Sequence, residues 1–220
     1  MCIFYWINLM KWWWETKDHP LFSPDRAGWD PAPLPEEIDR IRMASADLLT
    51  ERSVRKIVYN WIENWNDFID PLLSGKIAQE KVDKITSFEN MVDSIRTESS
   101  ITLYRGLYGD FAQELLTAAR EGHAFDRMAP QSFTWDRSVG ENFIDENGCC
   151  LLTVTVPPGS PIFYVSALDL YTVKTDAESE KEFILPPGRI TITTSPSQTD
   201  DVTTIDGVFM PLAWPPLLVS

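Results

Sequence analysis

The stretch AESEKEFILPPG, Ala177–Gly188, places three glutamates two residues apart, directly before an apolar run. In an extended chain, side chains two residues apart point to the same face. If a strand begins here, Glu178, Glu180 and Glu182 therefore share one side of it. Like charges that lie side by side in a sheet repel each other, so stability alone does not favour this arrangement. The pattern indicates that the carboxylates serve a function at the start of an apolar strand.

The composition is that of a folded chain with an excess of acidic residues. Its 220 residues suffice for one domain of ordinary size, or for a domain with a helical subdomain. Hydrophobic residues make up 44% of the chain, which is enough for a packed core. The formal net charge of −14 works against a broad surface for phosphate groups, which nucleic-acid binding normally requires.

The cysteines and histidines are too few and too scattered to form a disulfide framework or a metal cluster. The cysteines are Cys2 and the adjacent pair Cys149 and Cys150, and the histidines are His19 and His123. We therefore expect no bound metal and a reducing, cytoplasmic setting. That cytoplasm belongs either to the producing cell or, after delivery, to a target or host cell.

Residues 1–34 form an aromatic and proline-rich segment ahead of the predicted domain. Its first part, MCIFYWINLMKWWWETK, is interrupted by Asn8 and Lys11 and shows no small-residue cleavage site. The apolar run is also too short to span a bilayer, so no transmembrane segment is predicted. We expect the segment to pack on the domain or on a partner, with a surface-seeking role at a membrane interface as the alternative.

The predicted domain, residues 35–220, begins with a helical part that covers residues 35–99. A first helix starts at Pro35, and further helices are predicted over 53–69 and 77–95. The helix predicted over 53–69 carries aromatic residues at helical spacing, which predicts core packing for Trp61, Trp65 and Phe68.

The β-rich part covers residues 100–220. Runs rich in Val, Ile, Thr and aromatic residues, bounded by Pro and Gly, predict its strands. These are 101–108, 132–135, 150–157, 161–165, 180–186, 189–194 and 203–214. One helix is predicted over 110–122, with Asp110 as N-cap and Gly122 as its stop, and a short one over 138–145. Helices first and strands afterwards indicate an α+β fold.

Three short segments carry residues that suit one kind of chemistry: YRG at 104–106, SFT at 132–134 and EKE at 180–182. An arginine can hold a phosphate by bidentate hydrogen bonds, and a glycine lets a flat ligand approach the backbone. A serine can orient a carboxylate, and a carboxylate that faces an anomeric carbon can stabilise an oxocarbenium-like transition state. Together the segments predict cleavage of a glycosidic bond in a phosphorylated ligand. Taken singly, each also fits a structural role, such as an acidic edge that prevents edge-to-edge association.

In order and spacing, these segments resemble the arginine–serine–glutamate class of mono-ADP-ribosyltransferases. This class of glycosyltransferases includes bacterial toxins, bacteriophage enzymes and animal arginine-specific transferases. YRGL, QSFTWDRSVGENF and SEKEFILPPG match its three signature regions in turn, over roughly residues 53–195. The resemblance implies the ADP-ribosyltransferase fold, with N-terminal helices packed on a mixed or antiparallel two-sheet β core, and NAD as the substrate. No G-x-G-x-x-G is present, which agrees with an NAD site outside a Rossmann fold.

The resemblance also implies roles for the residues that match the signatures. Arg105 would contact the NAD phosphates and the nicotinamide ribose, and the backbone at Gly106 would hold the carboxamide. Ser132 would position the catalytic glutamate, and Thr134 would support its strand. Glu182 would bind a ribose hydroxyl and stabilise the oxocarbenium ion as nicotinamide leaves.

Three further residues are expected around the acceptor and the nicotinamide. Glu180 would engage the incoming acceptor, Tyr171 would contribute an aromatic contact from the acceptor loop, and Phe143 would line the nicotinamide pocket. The middle motif departs from the Ser-Thr-Ser of many members. It reads Ser-Phe-Thr, and Trp135 and Asp136 follow where small hydroxyl residues are usual.

The Glu-x-Glu form accompanies arginine modification in this class, so the expected acceptor is an arginine of a target protein. A nucleic-acid base or a small molecule is an alternative acceptor, although the net charge of −14 counts against nucleic acid. A second alternative is a pseudoenzyme that binds NAD without cleaving it. A regulatory partner that switches the enzyme on is also compatible with the sequence.

Overall fold

The computed structural model describes residues 35–144, 150–170, 181–199 and 202–219. They belong to one compact unit, Pro33–Ser220. The N-terminal segment 1–34 lies outside the described residues, so its packing and the predicted domain boundary stay predictions.

The helical part contains four α-helices among the described residues. They are α1, Glu36–Leu48; α2, Arg52–Asn64; α3, Asn66–Ser74; and α4, Val82–Asp93. Three acidic residues in the first turn of α1 suit the positive end of its dipole. A left-handed Gly75 stops α3, as is common at helix C-termini.

Two helix predictions need correction. The helix predicted over 53–69 is two helices, α2 and α3, which meet at Trp65. Trp65 is 51% exposed, whereas Trp61 and Phe68 are buried, so the predicted core packing was wrong for Trp65 alone. The helix predicted over 77–95 begins only at Val82, because a short strand and a 3-10 turn precede it.

The described strands form a large mixed sheet and a small one. The large sheet contains β2, Ile101–Leu107; β3, Phe125–Arg127; β4, Gln131–Thr134; β5, Cys150–Val156; β6, Phe163–Tyr164; β7, Glu182–Leu185; β8, Gly188–Ile192; β9, Ser197–Thr199; and β10, Val202–Pro211. Its order is β3-β8-β10-β5-β2-β4-β7-β6, and β9 pairs with β10. Strands β5 and β10 run parallel, and the other pairs of this sheet are antiparallel. The small sheet pairs β1, Lys76–Ile77, with β11, Leu218–Val219.

The large sheet is nearly divided in two. Strand β2 pairs with β5 over seven residues but with β4 at one residue pair, Tyr104 and Thr134. The group β3-β8-β10-β5-β2 and the group β4-β7-β6 are therefore two lobes that meet at this pair. The described strands thus form one mixed sheet with a narrow junction, where a two-sheet core was predicted, and the three signature segments meet at this junction.

Among the described residues of the β-rich part, two α-helices accompany the sheet: α5, Gly109–Glu121, and α6, Arg137–Asn142. Gly122 stops α5 in a left-handed conformation, as predicted, but the N-cap position belongs to Tyr108 rather than to Asp110. Asp110 instead lies in the first turn, where a carboxylate still suits the helix dipole. In α6, the carboxylate of Asp136 accepts a hydrogen bond from the N–H of Ser138 and so caps the helix.

Candidate active site

Glu182 is the first residue of β7, at the junction of the two lobes. It lies opposite Thr134 in the ladder between β4 and β7, and Thr134 in turn lies opposite Tyr104 of β2. The backbone N–H of Glu182 donates a hydrogen bond to Ser166 Oγ at 2.9 Å. Both the strand register and this bond therefore fix the backbone that carries the carboxylate.

Two side chains from different parts of the fold hold the Glu182 carboxylate. Ser132, two residues before Thr134 on β4, donates a short hydrogen bond to Oε1. Trp61 of α2 donates its indole N–H to the same oxygen at 3.0 Å. Among the described residues, Oε2 has no hydrogen-bond donor. One oxygen is thus anchored, and the other is available to a ligand.

Burial raises the pKa of Glu182 above its ordinary value. The hydrogen bonds from Ser132 and Trp61 and the nearby positive charge of Arg105 act in the opposite direction, but burial outweighs them. This is a carboxylate in a poorly solvated place, where its charge interacts strongly with a positive group in a ligand. It is therefore suited to meeting a positive charge that develops during a reaction.

Arg105 extends from β2 toward the same region. Its Nη1 lies 3.5 Å from Gln131 Oε1, and its guanidinium carbon lies 5.4 Å from the ring centre of Phe111 and 5.9 Å from that of Phe133. Burial, and then the neighbouring charge of Arg127, lower the pKa of Arg105 to about 10. The side chain still carries its positive charge at neutral pH.

Arg127, on β3, places a second guanidinium beside Arg105. Its guanidinium carbon lies 4.4 Å from the centre of the Phe111 ring, so both arginines pack on that ring. Burial also lowers the pKa of Arg127. Neither guanidinium forms an ion pair with a carboxylate in the part of the chain that the structure describes. Two partly desolvated positive charges held together in this way suit an anionic ligand such as a diphosphate.

Gly106 lies where α6 packs against β2. A Cβ atom at Gly106 would lie 2.2 Å from the carbonyl oxygen of Gly140 and 2.8 Å from the Cβ of Phe143. Glycine is thus required here for the close approach of α6, which brings Phe143, 46% exposed, next to the strand that carries Arg105. Thr134 supports the start of α6, because its Oγ1 accepts a hydrogen bond at 3.2 Å from the N–H of Asp136, the N-cap of that helix.

The residue before Glu182 is also tied down. Lys181 has a φ of 49°, a left-handed conformation that is uncommon for a residue with a side chain. Its Nζ lies 2.5 Å from Asp136 Oδ2 and 4.8 Å from the centre of the Trp135 ring. The hydrogen bonds from Lys181 and Ser138 lower the pKa of Asp136 to about 2. Trp135 and Asp136, which depart from the usual motif, therefore hold the start of β7.

The structure brings together most of the predicted site residues. Arg105, Ser132, Thr134 and Glu182 meet at the junction of the lobes, and Gly106 with Phe143 forms the adjoining contact between β2 and α6. Glu180 and Tyr171, the predicted acceptor residues, lie outside the described residues. The strand itself starts at Glu182, so the face shared with Glu178 and Glu180 stays a prediction as well.

Trp61, Ser166 and Arg127 were missed by the sequence reasoning. Trp61 was assigned to the core from its helical spacing, and it is indeed 3% exposed. A periodic pattern finds the buried face of a helix, but it gives no sign that a ring N–H on that face reaches a carboxylate 121 residues away. Arg127 and Ser166 stand in short elements without a recognisable motif.

Metal ligands and membrane spans were sought in the described ranges. Within them, no group of three or more His, Cys, Asp and Glu side chains is placed to hold a metal ion. No helix there is both long and apolar enough to cross a membrane.

No protein-family model and no curated relative matches the sequence. Solved structures do match the fold. An ADP-ribosyltransferase from Clostridium botulinum has a TM-score of 0.59 at 11% identity, over 83% of this chain and 98% of its own. C3larvin, an ADP-ribosyltransferase toxin from Paenibacillus larvae, has a TM-score of 0.58 at 16% identity, over 77% and 100%. C3stau2 from S. aureus, solved with NAD, has a TM-score of 0.58 at 14% identity, over 84% and 100%. The predicted fold is thus confirmed, and the chain has the α+β fold of the ADP-ribosyltransferases.

Proposed function

We propose that the protein is an NAD-dependent mono-ADP-ribosyltransferase. It cleaves the bond between nicotinamide and ribose in NAD and transfers ADP-ribose to an acceptor. The observation that carries the proposal is the Glu182 carboxylate, held through one oxygen by Ser132 and Trp61 and close enough to Arg105 for their charges to interact, within an ADP-ribosyltransferase fold.

The chemistry follows from the charges of the site. As the glycosidic bond breaks, nicotinamide leaves with the bonding electrons and the ribose becomes positively charged. Oε2 of Glu182 meets this charge in a poorly solvated place, where electrostatic stabilisation is strong. Arg105 and Arg127 bind the diphosphate, whose negative charge matches the two guanidinium groups on the Phe111 ring. An acceptor nitrogen then bonds to the anomeric carbon and loses a proton.

The acceptor we propose is an arginine of a target protein. A guanidinium is a poor nucleophile while it stays protonated, with a pKa above about 12. A second carboxylate can hold the guanidinium and take its proton as attack proceeds, and the Glu180-Lys181-Glu182 sequence supplies one in Glu180. We place the reaction in a cytoplasm, of the producing cell or of a recipient cell.

Labelled NAD tests the reaction and its acceptor together. Purified protein and its Glu182→Ala variant are each incubated with NAD that carries the label on the adenylate, in a whole-cell lysate. We expect labelled macromolecules that protease removes and nuclease leaves intact, with a loss of roughly 100-fold or more in the variant, the scale of a lost electrostatic stabiliser. Label removed by nuclease moves the acceptor to RNA or DNA. If the wild-type protein produces no label in macromolecules and releases no free nicotinamide, the proposal is contradicted.

The acceptor role of Glu180 has its own test. Because Glu180 is expected to act on the acceptor rather than on NAD, Glu180→Gln should abolish transfer to arginine and leave slow NAD hydrolysis. Both activities are measured on one sample, as label in protein and as free nicotinamide. If the Glu180→Gln variant transfers ADP-ribose to arginine normally, the acceptor role of Glu180 is contradicted.

A further inference from the structure

We infer that Trp61 is a positioning residue for the catalytic carboxylate, an inference that rests on the proposed function. It joins the helical part of the chain to the reacting centre, because its indole N–H from α2 donates to Glu182 Oε1 at 3.0 Å. Its task is to hold the carboxylate ionised and turned so that Oε2 meets the substrate.

Two hydrogen bonds to the same oxygen orient the Glu182 carboxylate. Ser132 from β4 and Trp61 from α2 both donate to Oε1. Two donors on one oxygen fix the rotation of the carboxylate, since any turn about its last bond breaks both contacts. Among the described residues, no donor competes for Oε2. The protein alone therefore determines that Oε2 is the oxygen available to a ligand.

Packing against two phenylalanines holds the Trp61 ring in place. The indole ring stacks on Phe88 with ring centres 5.0 Å apart and planes at 16°, and it contacts Phe68 at 5.9 Å. Trp61 is 3% exposed, and both of these phenylalanines are fully buried. A ring held this tightly cannot re-aim its N–H, so the helical part supplies a donor at a set position.

Trp61 also affects the charge of the Glu182 carboxylate. Burial raises the pKa of Glu182, and the hydrogen bond from Trp61 lowers it, because an N–H donor favours the ionised form. Trp61 therefore extends the ionised, reactive form of Glu182 to lower pH. A tryptophan with a purely structural role has no such effect on the titration of the carboxylate.

The test compares two tryptophans of the same aromatic cluster. Trp61→Phe keeps an aromatic ring and removes the donor to Glu182. Trp214→Phe is the matched control, because Trp214 Nε1 also donates to a carboxylate, Asp93 at 3.1 Å, and its ring packs edge-on against Phe88. The measured quantity is kcat/KM for NAD hydrolysis from about pH 5 to pH 9.

We expect the acid limb of the profile to move to higher pH in Trp61→Phe and to stay in place in Trp214→Phe. The loss caused by Trp61→Phe should therefore be several-fold larger at the acid end of this range than near pH 8, because the hydrogen bond from Trp61 favours the ionised carboxylate. An acid limb that coincides in Trp61→Phe and wild type overturns the inference.

A second measurement uses the wild-type protein and needs no activity. The NMR signal of the Trp61 indole N–H is followed through a pH titration, beside the carboxyl carbon signal of Glu182, with Glu182→Gln to identify both. We expect the two signals to titrate together, and the indole signal to lose its pH dependence in Glu182→Gln. An indole signal that ignores Glu182 overturns the inference even if the enzyme is active. If the two signals titrate together but the protein does not cleave NAD, the contact between Trp61 and Glu182 is supported and the proposed function is contradicted.

Discussion

The carboxylate of Glu182 shows at the scale of one residue how a buried charge is kept at a cost to the fold. Burial raises its pKa despite two donors and the nearby Arg105. A carboxylate whose pKa is raised in the folded protein contributes stability that is fully present below its unfolded pKa of about 4.3. That contribution is lost as pH rises through the folded pKa. At neutral pH the charge of Glu182 therefore weakens the fold.

Glu182→Gln should consequently be more stable than the wild type near pH 8, because the amide carries no charge to desolvate. We expect a rise in Tm of roughly 2–4 °C, which corresponds to about 1 kcal/mol in a domain of this size. The difference should disappear near pH 4, where the wild-type carboxyl is itself neutral. Thermal unfolding of both proteins at the two pH values measures the effect.

Glu89→Gln is the matched control for this prediction. Burial and the neighbouring Asp93 also raise the pKa of Glu89, which belongs to α4. We therefore expect Glu89→Gln to stabilise the protein in the same pH range while NAD cleavage continues. Equal stability of Glu182→Gln and wild type near pH 8 contradicts a destabilising effect of burying the Glu182 charge.

Some site residues could be predicted from the sequence and others could not, for a physical reason. Arg105, Ser132 and Glu182 each lie in a short motif that can be recognised from the adjacent residues in the sequence. Trp61 and Arg127 act through contacts made only in three dimensions: one reaches Glu182 from α2, and the other shares the Phe111 ring with Arg105. No local spacing encodes such contacts.

At the scale of elements, α6 packs closely on β2 beside the candidate site. The carbonyl oxygen of Gly140 occupies the space where a side chain at Gly106 would begin. Gly106→Ala should therefore push α6 away from β2, at a cost of roughly 1–3 kcal/mol for overpacking. We expect a lower Tm together with a loss of NAD cleavage per folded molecule. Thermal unfolding and nicotinamide release measure the two effects.

Gly207→Ala separates damage to the site from damage to the fold. A Cβ at Gly207, on β10, would lie 2.6 Å from Ile190 Cγ2, and its ladder partners Val154 and Ile192 are not site residues. We expect a fall in Tm, with activity per folded molecule retained. If both variants lose activity equally, the contact of α6 with β2 has no special relation to the site.

The elements themselves were largely predictable, but their junctions were not. Strands β2, β4, β5, β7, β8 and β10 lie where runs rich in Val, Ile, Thr and aromatic residues predicted them. The break between α2 and α3 at Trp65 was not predicted, and the start of β7 at Glu182 depends on tertiary contacts. Lys181, for example, takes a left-handed conformation while its ammonium group is held by Asp136 and lies over the Trp135 ring. The meeting of the two lobes at Tyr104 and Thr134 likewise joins segments 30 residues apart in the sequence.

At the scale of the whole molecule, the net charge of −14 makes the protein a selective environment for charged partners. Its field attracts cations and repels polyanions over the Debye length, which is about 30 Å at 0.01 M salt and about 8 Å at 0.15 M. A cationic guanidine acceptor should therefore gain from low salt, whereas an acceptor without net charge should not.

Two small acceptors make this a direct measurement. Agmatine is a dication, and N-acetylarginine carries the same guanidinium without net charge at neutral pH. Between about 0.02 M and 0.3 M salt, we expect kcat/KM for ADP-ribose transfer to agmatine to fall roughly 3- to 10-fold, because electrostatic attraction is screened. Transfer to N-acetylarginine should change little, and this comparison removes effects of salt on the binding of NAD. Equal salt dependence for the two acceptors contradicts attraction of the cationic acceptor by the field of the protein. If a nucleic acid is the acceptor instead, its modification should increase with salt, because screening weakens the repulsion between the two negative charges.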